Sequence, residues 1–180
     1  MQRMEDLPRR LKRGDPAAFD EFHRAYSGRL LRFVTRLVGL RDAEDLAQEV
    51  YVRVLRSLPA YREEQRFESW LFTIANHLCV DAHRRRRATV EPLGVEAPRR
   101  YEPDWAAARR EQFEAVLAEL RGLPFEQRQV FILREDAGLS FKEIARTLDE
   151  PLGTVLARMK YAMDRLRARL SPREVKEHAV

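Results

Sequence analysis

Along this chain apolar residues recur three and four positions apart almost everywhere, and no stretch alternates with period two for long enough to make a strand. That one pattern limits the fold to packed helices. Asp15-Pro16 reads as an N-cap followed by proline in the first helical position, opening a helix expected to run to about Gly39. Asp42 is the expected cap of the next helix, "AEDLAQEVYVRVLRSL", whose Leu46, Val50 and Val54 share one stripe and should face inward, and Pro59 stops it. A third helix carries Phe67, Trp70, Leu71, Ile74 and Leu78 and is expected to end in the run Arg84 to Arg87.

The periodicity fails from Ala88 to about Asp104, where Pro92, Pro98, Pro103 and Gly94 stand among mixed charges, and this reads as a linker. Helices resume from about Ala106 to Arg121 and from Phe125 to Ala137, stopped by Gly122 and Gly138. Ser140 with Glu143 forms a capping box ahead of "IARTL". A short turn then leads into a helix from Pro151, with Asp149 as the residue best suited to a left-handed backbone there. The fold class is therefore all-α, with two helical domains: residues 6–87, a linker over 88–107, and residues 108–171.

A short helix, a tight turn and a second helix make a helix-turn-helix. In the second helix Val155, Met159, Ala162, Leu166 and Leu170 form the inward stripe, while Thr154, Ala157, Lys160 and Tyr161 point away with Arg158 on the flank. Five basic residues and one acid lie between Gly153 and Leu170, a footprint suited to phosphate on a helix slender enough for a major groove. Two amphipathic helices meeting at a charged corner would look much the same, so this pattern alone leaves both readings open. The net charge of +5 suits a polyanionic partner. It sits in residues 1–90, with 18 basic against 13 acidic side chains, whereas residues 91–180 balance at 16 each.

Several classes are excluded. Cys79 is the only cysteine, so no intramolecular disulfide forms, and Cys79 with His83 at i, i+4 leaves His77 about 200° around the helix, which a shared metal ion does not allow. No metal or cofactor is expected. The chain holds no nucleophile elbow, phosphate loop or paired-histidine zinc motif, so it is not read as an enzyme. Apolar runs are short and the start, "MQRMEDLPRRLKRGD", is charged, which points to a cytoplasmic protein without membrane insertion.

The blocks "DAEDLAQEVYVRVLRSL", "FESWLFTIANHLCVDAHRRRR" and "LPFEQRQVFILREDAGLSFKEIARTLDEPLGTV" together resemble, in that order, the extracytoplasmic-function sigma factors of bacterial RNA polymerase. The resemblance covers about residues 8–87 and 108–170. It implies a promoter-specificity subunit whose first domain is sigma region two and whose last is sigma region four. By the resemblance, Asp45, Gln48, Glu49, Tyr51, Val52 and Leu55 contact the clamp helices of the polymerase's largest subunit, and region four meets the flap. Val52 lies off the stripe of Leu46, Val50 and Val54, which is compatible with an external use, although Val52 and Leu55 would also serve to widen a buried face.

The segment "YREEQRFESWLFTIANHLCVDAHRRRR" looks like the part that recognises and opens the −10 element, with Arg66, Asn76, His77, Arg84, Arg85, Arg86 and Arg87 as candidates. Opening a duplex costs a few kcal/mol per unstacked step, recovered by holding an extruded base and the single-strand phosphates. Phe67, Trp70 and Ile74 share helical spacing and are read first as core. The −35 candidates are Thr154, Leu156, Ala157, Arg158, Lys160 and Tyr161. Four positions depart from or match the family. His77 stands where asparagine is common, Leu156 and Ala157 stand where a basic residue and serine are common, and Arg158 matches. In this family the linker threads toward the RNA exit channel, where Tyr101 and Trp105 would pack, although Trp105 is read first as packing on the start of the following helix. Promoter DNA, core polymerase and an anti-sigma protein are the implied partners. The rival reading, a helix-turn-helix regulator acting without core polymerase, leaves the "DAEDLAQE" block without a purpose.

Overall fold

The computed structural model of the chain describes residues 6–62, 66–89 and 117–170, and every regular element among them is helical. The first module comprises α1 (Leu7–Lys12), α2 (Pro16–Val38), α3 (Ala43–Ser57), a 3-10 turn at Leu58–Ala60, and α4 (Phe67–Thr89). A helical stretch over 117–121 leads into the second, α5 (Phe125–Glu135), α6 (Phe141–Leu148) and α7 (Leu152–Leu170). Most of the linker, with Tyr101 and Trp105, and the expected helix start at Ala106 lie outside the described residues.

The inward stripes form as their spacing predicts. Leu46, Val50 and Val54 of α3 are buried against Phe22, Leu30, Phe33 and Leu37 of α2 and against Leu71, Phe72 and Ala75 of α4. Each large apolar side chain removed from water contributes roughly 1.5–3 kcal/mol. An exposed helical pair such as Arg53 with Glu49, 3.6 Å apart, adds only about 0.3–0.5 kcal/mol, so the apolar stripes set the packing. Phe67 and Trp70 belong to an aromatic cluster with Phe22, Tyr26 and Tyr61, the Tyr61–Trp70 centroids lying 4.9 Å apart. Cys79 is fully buried, and burial pushes its thiol up to about 12, leaving it an inert core residue.

Asp15 caps α2 as expected, accepting from the Ala17 N–H at 2.9 Å with Pro16 in the first turn. Asp42 differs. It precedes α3 but makes no side-chain cap bond, because its carboxylate is drawn to the Arg86 guanidinium of α4, which also donates to the Val38 carbonyl at 2.5 Å. The arginine run is thus not a frayed end: α4 continues through it to Thr89. The helix α1, which the sequence pattern did not predict, is held by buried Leu7 and Leu11 and by Arg10, whose guanidinium reaches Asp15 and Glu21 at 2.9 and 2.7 Å.

In the second module Ser140 and Glu143 complete the capping box, and Asp149 ends α6 with φ 52°, in the left-handed region. Pro151 lies just before α7 rather than inside it, its carbonyl accepting from the Val155 N–H at 3.2 Å. The two modules are not separate bodies in this structure. Val130, Ile132, Leu133, Ile144 and Val155 join the first module's apolar core without a break.

Candidate nucleic-acid interface

Three surfaces carry the candidate residues. On α3, the rotation that buries Leu46, Val50 and Val54 leaves Asp45, Gln48, Glu49, Val52 and Leu55 exposed, with Val52 and Leu55 at 46% and 39% of full exposure. Neither valine nor leucine widens the buried face. Tyr51 is different: it is half-buried and its ring packs edge-on against Phe22 at 5.2 Å, so it supports the face more than it presents it.

On α7, Leu156, Ala157, Lys160 and Tyr161 are exposed and Thr154 is half-buried. Lys160 lies 3.1 Å from Asp164 one turn on. Arg158 is turned back on its own turn, donating to Glu150 at 2.9 Å, and faces the first module instead of open solvent. Its pairing removes it from the outward stripe in this arrangement.

On α4 the candidates divide. His77, Arg84, Arg85 and Arg87 are exposed, as is Arg66 in the preceding loop, whose guanidinium lies within 4 Å of Glu68 and Glu143. Arg86 is committed to Asp42 and Val38 as a clasp between helices. Asn76, expected to meet an extruded base, is 1% exposed and accepts a hydrogen bond from Gln129 of α5 at 2.8 Å. Its amide is covered because the second module docks on this face of α4.

That docking adds polar bonds to the continuous apolar core. Ser69 donates to Glu143 at 2.5 Å, Thr73 and Thr147 share a hydrogen bond at 3.0 Å, and Arg36 of α2 donates to Asp136 at 2.6 Å. His83 stacks on Phe125 with centroids 3.9 Å apart and planes within 6°. Between the modules remains a cleft of about 640 Å³, lined on one side by Asn76, His77, Arg84 and Arg87 and on the other by Asp149, Glu150 and Arg158. None of the inter-module partners was anticipated. Gln129 is one of several polar residues of its helix, and nothing in sequence points it at a residue 53 positions away.

The charges respond to this seam. Burial raises Asp136 above the usual carboxylate range despite Arg36 and Arg32, and its Oδ2 finds no hydrogen-bond donor. Glu143 goes the other way. Burial works against its charge, but hydrogen bonds from Ser69 and Ser140, helped by Arg66, outweigh that and hold it at about 2. Burial, with Arg128 and Arg87 nearby, lowers His83, so its neutral form is favoured against Phe125. No group of three or more side chains suited to a metal ion occurs among the described residues. No helix among them is long and apolar enough to cross a membrane.

Two family models match the chain, Sigma-70 region 2 over residues 22–89 and Sigma-70 region 4 over residues 120–168. The RNA polymerase sigma-H factor of Pseudomonas aeruginosa is 32% identical over 93% of this chain and 94% of its own length. The ECF RNA polymerase sigma-E factor of Escherichia coli K12 is 28% identical over 92% and 93%. Among solved structures, CnrH in complex with the cytosolic domain of CnrY superposes with a TM-score of 0.69 at 23% identity, covering 92% of this chain and 96% of that one. The sigma factor RpoE of Bartonella quintana, solved with the anti-sigma factor NepR, gives 0.67 at 21% identity over 86% and 98%. At these identities the two structures bear on the fold alone.

Proposed function

Since the chain belongs to the sigma-70 family, as a factor of the extracytoplasmic-function type that directs RNA polymerase to promoters, we propose how its surfaces divide that work. The α3 face of Asp45, Gln48, Glu49, Val52 and Leu55 grips the clamp helices of the polymerase's largest subunit, with Tyr51 stiffening it from behind. Arg66, His77, Arg84, Arg85 and Arg87 hold the −10 region, and Asn76 joins them once uncovered. The outward stripe of α7 enters the −35 major groove, and the second module meets the flap. The chain performs no catalysis of its own and acts in the cytoplasm.

The observation that carries this reading is the seam itself. Asn76, one of the −10 candidates, is 1% exposed under Gln129, so the docked arrangement is a resting form and promoter opening requires the modules to part. Polymerase favours the parted form by binding both modules at separate places, a coupling of binding to conformation. An anti-sigma protein would act in the opposite sense, by stabilising the docked form; the solved relative RpoE is held by one, NepR.

Gel filtration of the purified chain with core polymerase tests the assignment. Co-elution is expected, lost on Val52→Glu with the chain still folded, while the free chain binds promoter duplex weakly. A chain that ignored core polymerase yet held its duplex tightly unaided would be a regulator of a different kind, and the reading would fall.

A further inference from the structure

The first two turns of α7 present a surface with an unusual character for solvent. Leu152, Gly153, Leu156 and Ala157 are all exposed, Leu152 and Leu156 at 38% and 45%, and at 100° per residue the four fall within about 140° of the helix circumference. None has a charge or a hydrogen-bonding side chain. Single exposed leucines need no explanation, but a contiguous neutral patch on the leading end of a helix does. Of the neighbouring donors, Arg158 is paired with Glu150 at 2.9 Å and Thr154 is half-buried.

Gly153 supplies a second, independent observation. Its φ is not positive, and a Cβ built on it meets nothing within 4 Å, so neither backbone conformation nor internal packing calls for glycine. Alanine would favour the helix there. A missing Cβ with no internal use suits an external surface that approaches the backbone closely.

We propose that this patch reads thymine methyl groups in the −35 duplex, Leu156 and Leu152 making the apolar contacts and Gly153 admitting the base-pair edges to the helix backbone. The inference rests on the assignment of α7 to the −35 groove. The thymine methyl is the one apolar group that a base pair displays in the major groove. Duplex DNA is the favoured occupant because Lys160 and Arg167 are exposed along the same side of α7, and Lys142 and Arg146 are exposed on α6, a basic surround for an apolar tip.

The test uses reconstituted holoenzyme and a promoter selected from a randomised pool. Binding is measured to the intact promoter, to one with the −35 element scrambled, and to versions in which single −35 thymines are replaced by deoxyuridine, which removes only the methyl group. Scrambling is expected to weaken binding, and at least one deoxyuridine to weaken it about fourfold, the equivalent of one buried CH₂. Leu156→Ala holoenzyme should lose the thymine–deoxyuridine difference at that position. Gly153→Ala should raise the unfolding midpoint of the free chain yet weaken promoter binding, two effects of opposite sign that a purely structural glycine would not give. If scrambling matters but deoxyuridine never does, the methyl readout is wrong and the −35 assignment stands. If scrambling has no effect, both fall.

Discussion

Replacing Gln129 with leucine isolates the bond that covers Asn76. In the docked form Gln129 is 6% exposed and donates to Asn76, itself 1% exposed, at 2.8 Å. Leucine is close in volume and cannot donate, so packing is largely kept while the Asn76 carbonyl loses its partner. Leaving a buried polar group unsatisfied costs about 1–3 kcal/mol. In the parted form both side chains face water and the substitution costs little, so the penalty falls almost wholly on docking. At 1.4 kcal/mol per tenfold it shifts the balance toward parted modules by about 5- to 150-fold. The Ser69–Glu143, Thr73–Thr147 and Arg36–Asp136 contacts remain and set how much of that shift becomes visible. Energy transfer between dyes, one on each module, reads the docking directly; buried Cys79 stays unlabelled. Fluorescence anisotropy reads affinity for core polymerase, which should tighten by up to the same factor. Unchanged energy transfer would show that the bond does not hold the modules. Reduced transfer with unchanged or weaker affinity for polymerase would refute the argument that docking opposes holoenzyme formation.

Glu143, held at about 2 against an ordinary 4.5, contributes stability that is present above pH 4.5 and lost as pH falls toward 2. The shift corresponds to about 3 kcal/mol, which screening of the exposed Arg66 reduces to roughly 1–2 kcal/mol; urea melts of Glu143→Gln should lack this acid-side loss, and parallel curves would contradict it. Lowered His83 has the same sign in a higher pH window: its contribution to docking is intact when neutral and declines as pH falls below the ordinary 6.5, where the protonated ring faces Arg128 across the seam, with Arg86 and Arg87 on its own helix and Glu126 opposing them. Energy transfer between the modules should therefore fall on acidification in the native chain and not in His83→Phe. Arg86→Ala should destabilise the chain by about 1–3 kcal/mol by releasing Asp42 and the Val38 carbonyl, whereas Arg84→Ala should leave the melt unchanged and weaken binding to single-stranded −10 DNA in the holoenzyme. Equal effects of the two on both measurements would overturn that division of the arginine run.

What the order of residues determines by itself is what depends on a few neighbouring residues. The inward stripe of α3, the Ser140–Glu143 box and the left-handed Asp149 follow from spacing, capping chemistry and backbone sterics within one or two helical turns. The stripe left two uses open to Val52 and Leu55, and packing decided for exposure. Where a side chain had a choice of partner, tertiary packing overrode its local surroundings. Asp42 had a helix N-terminus beside it and took Arg86, 44 positions on. Arg158 had open solvent and took Glu150. Asn76 had the right chemistry for a base and is covered by Gln129.

The difference has one physical origin. Helix formation and its caps are decided over distances of a turn or two, and the order of residues records them directly. A charge or amide instead takes whichever partner packing brings within about 3 Å, and here packing joins Asp42 to Arg86 within the first module and residues 53 to 100 positions apart across the seam between the two modules. The chain's order therefore specified helices, inward faces and the kind of molecule; tertiary packing, the docking of one module on the other above all, decided which of the candidate side chains are exposed and which are covered.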